Sequence, residues 1–218
     1  MVASSIENNS LGILVANQLR LKIFNRKIQF GDRLIETELS DHFEVSRNTI
    51  RDALKILEYE GLVVNKPRKG TYVTTFTKED FNEIIDLRMI IESYAFERAI
   101  DHIKNEETKH LQSILHKMEK SAEKKDWSRL FDLDMEFHQY IVSLSHNSRI
   151  IEVYKSIQVQ IRAILIHLDQ VYSTFDNFLT EHKDLFNALL TKDPIIVKGQ
   201  VVKHIKYVEG KLINNEQF

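Results

Sequence analysis

Two features of this 218-residue chain predict a mainly α protein in two parts. The first is a pair of helical stretches joined by a tight corner and followed by a short basic hairpin. The second is a near-continuous succession of helix-forming segments after that hairpin, in a chain with only 2 prolines and 6 glycines to interrupt them. A third observation, polar residues at regular spacing inside apolar stripes, marks where chemistry is concentrated.

Residues 1–9 read as a frayed start. From Ser10 to about Lys27 a helix is predicted, with Leu11, Val15, Leu19 and Ile23 at period four. Phe30-Gly31-Asp32 makes a turn. Glu36 to Phe43 forms a short helix with Leu39 and Phe43 inward, Glu44-Val45 turns the corner, and Ser46 caps the next helix. That helix buries Ile50, Ala53, Leu54 and Leu57 and stops at Gly61. Leu62-Val63-Val64 and Thr71-Tyr72-Val73 flank the basic loop Asn65-Lys66-Pro67-Arg68-Lys69-Gly70 as a hairpin. Helix, corner, helix and basic wing together predict a winged helix-turn-helix over residues 1–75.

The first turns of the second helix present Arg47, Asn48, Thr49 and Arg51, residue types that reach phosphates and base edges when a helix N-terminus enters a major groove. Two arginines on a helix are ordinarily a solvated face. The corner, the cap and the wing, whose Lys66, Arg68, Lys69 and Gly70 would meet backbone or minor groove, favour a DNA-reading surface. The net charge of -2 is uninformative by itself, although the basic residues cluster on this face.

Thr74 to Phe76 form a short junction. Residues 76–218 then read as an all-α bundle of six helices: about Thr77–Ile103, opened by Thr77-x-x-Asp80; Asn105–Glu123; Asp126–His146; Asn147–Tyr172; Asp176–Leu190; and Pro194–Ile213. With no cysteine there is no disulfide framework and no thiolate metal site, which fits a cytoplasmic protein. No apolar run approaches membrane-spanning length, and the N-terminus lacks a signal-peptide pattern.

Inside the bundle, Leu130, Phe137 and Ile141 define one buried stripe, and Asp134 and His138 lie in it, four apart. His182 sits within the stripe Phe178, Leu185, Leu189. His204 sits within Val197, Val201, Val208, Leu212. A single buried histidine is more often a satisfied core residue than a ligand. One carboxylate and three imidazoles aimed into the same core instead form a divalent-metal constellation. His102, His110, His116, His146 and His167 lack this pattern and read as surface or packing residues. On the first bundle helix Arg88 and Glu92 interrupt the stripe Phe81, Ile84, Ile85, Ile91, Ala95. They form either a self-satisfied i, i+4 pair or, for Arg88, a fork for an effector carboxylate. Arg162 is a second candidate for that role.

Gly31-x-x-Leu34-x-Glu36-x-x-Leu39-Ser40, Val45-Ser46-Arg47-x-Thr49-Ile50-Arg51-x-Ala53-Leu54, Glu60-Gly61-Leu62-Val63 and Gly70-Thr71-x-Val73 resemble the GntR family of bacterial transcription regulators over roughly residues 10–75. That resemblance implies DNA contacts at Arg47, Asn48, Thr49, Arg51 and Gly70; Asn48 stands where relatives often carry Thr. The second part resembles the FCD effector domain of the FadR/VanR-type branch, through Asp134, His138, Asn147, Glu181-His182 and His204, and through Arg88-x-x-x-Glu92. It implies zinc, nickel, manganese or iron at the four ligand positions beside an effector pocket, and dimerisation through the bundle.

The resulting expectation is a metabolite-responsive regulator, of the repressor type common in the family. It would act as a homodimer on pseudo-palindromic double-stranded operator DNA, with a divalent metal ion, zinc first, and a small organic acid as effector. Two alternatives stand beside it. One is a DNA-binding protein with a purely structural metal and no effector. The other is a metal-dependent enzyme, disfavoured because no general acid or base stands beside the four ligands.

Overall fold

The computed structural model describes residues 2–168 and 174–213, with side-chain surroundings for 11–166 and 174–207. The chain divides into two compact units, Met1–Thr75 and Phe76–Phe218.

In the first unit, α1 spans Val2–Phe24, α2 Glu36–Phe43 and α3 Arg47–Tyr59. Val15, Ala16, Leu19 and Ile23 of α1 pack on Ile50, Ala53, Leu54 and Leu57 of α3. Each of the larger side chains contributes roughly 1.5–3 kcal/mol by leaving water. Arg20 clamps the two helices, donating from Nε and NH2 to the two carboxylate oxygens of Glu60 at 3.0 and 2.6 Å. The expected stripe is corrected at its start, because Leu11 is exposed. The helix also begins well before Ser10.

The corner turns at Glu44, which adopts a left-handed conformation at φ 53°. α2 buries no residue completely; Leu39 and Phe43 are only half-covered. The Ser46 hydroxyl accepts from the Thr49 amide at 3.1 Å, a cap worth about 0.5–2 kcal/mol.

The wing strands are β2 (Val63–Lys66) and β3 (Gly70–Val73), paired Val63 to Val73 through Lys66 to Gly70. Pro67 and the left-handed Arg68 make the turn, closed by Lys69 N–H to the Lys66 carbonyl at 2.9 Å. A two-residue strand that periodicity could not reveal, β1 (Arg33–Leu34), pairs antiparallel with β3, so the sheet order is β1-β3-β2.

The second unit consists of α4 (Lys78–Ala99), α5 (Asn105–Glu123), α6 (Trp127–Ser143), α7 (Ser148–Leu168), α8 (Phe175–Thr191) and α9 (Pro194–Ile213). Thr77 and Asp80 cap α4 reciprocally, at 3.1 and 2.8 Å. Asp126 and Thr174 cap α6 and α8. α4 packs on α6, α7 and α9, α8 on α5 and α9, and α6 on α5 and α7. Phe81, Phe96, Leu111, Phe131, Phe137, Tyr154, Phe178 and Val201 belong to one continuous core. The expected end of α7 near Tyr172 lies outside the described residues, as do the side chains of His167, Val208 and Leu212. Among the described residues, no helix is long and apolar enough to cross a membrane.

Candidate functional site

The first unit presents its basic residues outward. Arg47, Asn48 and Arg51 are exposed on the first turns of α3, and Lys66, Arg68 and Lys69 are exposed on the wing. Thr49 departs from expectation. It is buried, and its hydroxyl lies 2.8 Å from that of Ser46, so it completes the cap instead of the outer face. Arg51 donates from Nε to Glu36 at 2.8 Å, an exposed pair that costs little to break.

Gly70, at φ +102°, lies close under the Arg33 guanidinium; a Cβ there would come within 3.3 Å of Arg33 Nε. Arg33 is therefore a further cation beside the wing, on a strand too short to be recognised by alternation. Lys66 places its ammonium 4.9 Å from the centre of the Tyr72 ring.

The second unit buries a group of ionisable side chains. Asp134 and His138 come from successive turns of α6, His182 from α8 and His204 from α9, each in the middle of an apolar stripe. All four are nearly inaccessible to solvent. One candidate ligand atom from each lies within 4.8 Å of every other. His182 Nε2 is 2.7 Å from Asp134 Oδ1, and His138 Nε2 is 3.8 Å from the same oxygen.

The donor set fits a cation on three counts. Among the described residues, Asp134 Oδ2 and both ring nitrogens of His204 are buried without hydrogen-bond partners, a cost of roughly 1–3 kcal/mol for each group left so. His182 faces an acceptor on each side, the Phe178 carbonyl at 2.8 Å from Nδ1 and Asp134 at Nε2. A neutral imidazole donates only once, so it satisfies one of these acceptors, and a metal ion on the Nε2 side would satisfy the other. Three imidazoles and one carboxylate are also the borderline donors that divalent transition metals select.

The electrostatics agree. Burial pushes the Asp134 carboxyl up, but His138, the hydrogen-bonded His182 and Arg88 outweigh it and hold the group well below the usual carboxylate range. Burial, reinforced by His182, His138 and Arg88, pushes His204 well below the ordinary imidazole value, leaving it neutral with a lone pair to offer.

Arg88 reaches this cluster from α4. Its Nε donates to Glu92 Oε1 at 2.7 Å, and its NH2 lies 3.2 Å from His138 Nε2. The i, i+4 pair foreseen from sequence is present, and it is tied to the metal-type cluster. Glu92 also accepts from Tyr154 at 3.0 Å and lies 2.8 Å from His138 Nδ1. Burial disfavours its charge, but Arg88 and then His138 bring it down to about 2.

Arg162 is directed elsewhere. It donates to Asp132 at 3.0 Å and to the Ser128 carbonyl at 3.0 Å, which fastens α7 to the start of α6. Sequence reasoning missed Tyr154 and Glu181, whose Oε2 lies 3.3 Å from His204 Nδ1. Tyr154 gave no signal distinct from a core aromatic. Glu181 was visible only as the neighbour of His182. His102, His110, His116 and His146 are exposed or half-buried.

The family model for bacterial regulatory proteins of the gntR family matches residues 14–73, and that for the FCD domain matches residues 83–207. The chain is 30% identical to the gluconate operon transcriptional repressor of Bacillus licheniformis, over 93% of this chain and 85% of that one. It is 27% identical to the transcriptional repressor RspR of Escherichia coli strain K12, over 87% and 83% of the two chains. A solved transcriptional regulator GntR from Rhodococcus sp. RHA1 shares the fold with a TM-score of 0.80 at 22% identity, covering 95% of this chain and 100% of the other.

Proposed function

As a member of the GntR family of bacterial regulatory proteins that carries an FCD domain, this chain is a transcription regulator and not an enzyme, and we propose that it is a metal-dependent, carboxylate-responsive repressor. The observation that carries this reading is the set of buried, unpartnered ligand atoms on Asp134 and His204 beside the two other imidazoles. Asp134, His138, His182 and His204 would hold one divalent ion, zinc first among the candidates, with nickel, manganese and iron as alternatives. The ion would supply a Lewis-acidic centre for the oxygens of a small carboxylate or hydroxy-acid. Arg88, whose NH2 already lies beside His138, would neutralise that ligand from α4. A relative that represses a gluconate operon is in keeping with this ligand class.

Operator DNA is bound by regulators of this family. Here Arg47, Asn48 and Arg51 would enter the major groove, and Lys66, Arg68, Lys69 and Gly70 would follow the backbone or minor groove. A homodimer on a pseudo-palindromic site is supported by apolar surface on the outer side of α4 and α9. Ile90 is 69% exposed, and Leu87, Tyr94, Ile195 and Ile196 are also exposed.

Linkage requires operator DNA and effector to alter each other's affinity by one common factor. The test is to titrate organic acids against the zinc-loaded wild type, His204→Ala and Arg88→Ala while measuring operator affinity. An effector that works equally on all three would defeat the reading.

A second reading, a closed structural metal without an effector, is favoured by the near-complete burial of all four ligands. X-ray absorption of the zinc-loaded protein separates the two. Four protein donors alone support the structural reading, and additional oxygen donors support the effector site.

A further inference from the structure

Two imidazoles of the cluster have a hydrogen-bonded acceptor at Nδ1, Phe178 O for His182 at 2.8 Å and Glu92 for His138 at 2.8 Å, while Glu181 only stands near His204 Nδ1 at 3.3 Å. A carbonyl or ionised carboxylate only accepts, so the nitrogen hydrogen-bonded to it carries the hydrogen. For His138 the tautomer is specified twice. Arg88 only donates, and its NH2 faces Nε2 at 3.2 Å, which makes Nε2 the acceptor.

Glu92 is itself held in place from two sides. Its Oε1 takes the Arg88 Nε–H and the Tyr154 hydroxyl, which leaves Oε2 for His138. A carboxylate needed only to neutralise Arg88 would not require the contact with His138. We propose that Glu92 is the positioning residue of this centre: it fixes His138 with hydrogen on Nδ1, so that Nε2, which faces Asp134 and accepts from Arg88, carries no hydrogen and can pass its lone pair from Arg88 to a metal ion. This rests on the metal-binding reading above. Glu181 stands at the corresponding place beside His204, but its approach lacks the alignment of a hydrogen bond.

The near-isosteric Glu92→Gln substitution forces a choice. Arg88 and Tyr154 both donate toward the Oε1 position, so the amide oxygen stays there and the NH2 turns to His138 Nδ1. The neutral imidazole then meets a donor on each side, the amide NH2 at Nδ1 and Arg88 at Nε2, so hydrogen on Nδ1 loses its preference and Nε2 is bare in only part of the population.

The experiment records proton–nitrogen correlation spectra of histidine-labelled, metal-free protein, and measures zinc affinity by competition with a chromophoric chelator. Wild-type His138 is expected to show hydrogen on Nδ1 and a bare Nε2. In Glu92→Gln the Nδ1 preference is expected to weaken, with hydrogen appearing on Nε2, and zinc binding is expected to be about 10–100-fold weaker. Glu181→Gln is expected to change zinc affinity less. Two outcomes overturn the proposal: wild-type His138 with hydrogen on Nε2, or a folded Glu92→Gln that keeps the wild-type pattern and affinity. If Glu92→Gln does not fold, the wild-type spectrum still decides. A wild type that takes up no zinc would defeat the metal reading, while the spectra would still judge the role of Glu92.

Discussion

Each unit contains an arginine–glutamate pair of similar length, and the two are built for opposite purposes. In the reading unit, Arg51 meets Glu36 at 2.8 Å with side chains 56% and 35% exposed. In the bundle, Arg88 meets Glu92 at 2.7 Å with side chains 1% and 0% exposed. Water screens the first pair, so it is worth about 0–1 kcal/mol and costs little to break. The second pair is surrounded by Tyr154 and His138, and removing one partner strands a charge where water cannot reach it. Burial therefore separates a contact that breaks at little cost from one that holds a site in shape.

The largest effect that could break this contrast is in the bundle. Arg88→Ala is expected to destabilise the second unit by about 3–5 kcal/mol, because Glu92 stays buried without its partner. Denaturant titration of the metal-free chain measures it, and a loss no greater than that of Glu36→Ala would abolish the contrast.

The pH dependence of the metal-free chain sharpens it. Glu92 is depressed in the fold, after burial and the stronger opposing pull of Arg88, from 4.5 to about 2. The unfolded chain therefore binds the proton first. The associated stability is present above pH 4.5 and is lost as pH falls toward about 2, on the order of 3 kcal/mol. His204 is also depressed, chiefly by burial, so its share of the loss begins earlier, as pH falls below 6.5. Thermal unfolding followed from pH 8 to pH 3 should show both onsets; a flat profile would refute the buried network.

A smaller effect is expected on DNA. Arg51→Ala should weaken operator binding by about 1–3 kcal/mol if it reads a base, with Arg47→Ala in the same range. Undiminished affinity for both would remove α3 from the groove. The smallest effect belongs to Glu36→Ala, which should alter stability by less than about 1 kcal/mol and, by releasing Arg51, strengthen rather than weaken operator binding. Operator titration at two salt concentrations distinguishes that gain from a general change in charge.

Local order in the chain was sufficient for whatever depends on neighbours a few residues apart. Period-four apolar spacing located the helices. Ser46, Thr77-x-x-Asp80 and Asp126 marked helix starts that the backbone adopts. Asp134 and His138 had to share a face at i, i+4, and His182 and His204 stood out as polar residues in apolar stripes. These signals are intrinsic to helix geometry and survive any packing.

Other features depend on which surfaces meet. The pairing of Arg33–Leu34 with β3, the exposure of Leu11, and the turning of Thr49 into the cap were settled by tertiary contacts that no period encodes. The same holds for the direction of Arg162 toward Asp132 and for the placement of Glu92 between Arg88, Tyr154 and His138. Glu92 and His138 are 46 residues apart, and only helix packing brings them to 2.8 Å. The sequence by itself determined that ionisable groups would enter the core. Tertiary structure decided which nitrogen of His138 would face the others, because Glu92 reaches its Nδ1 only through helix packing, whereas His182 meets the Phe178 carbonyl four residues back in its own helix.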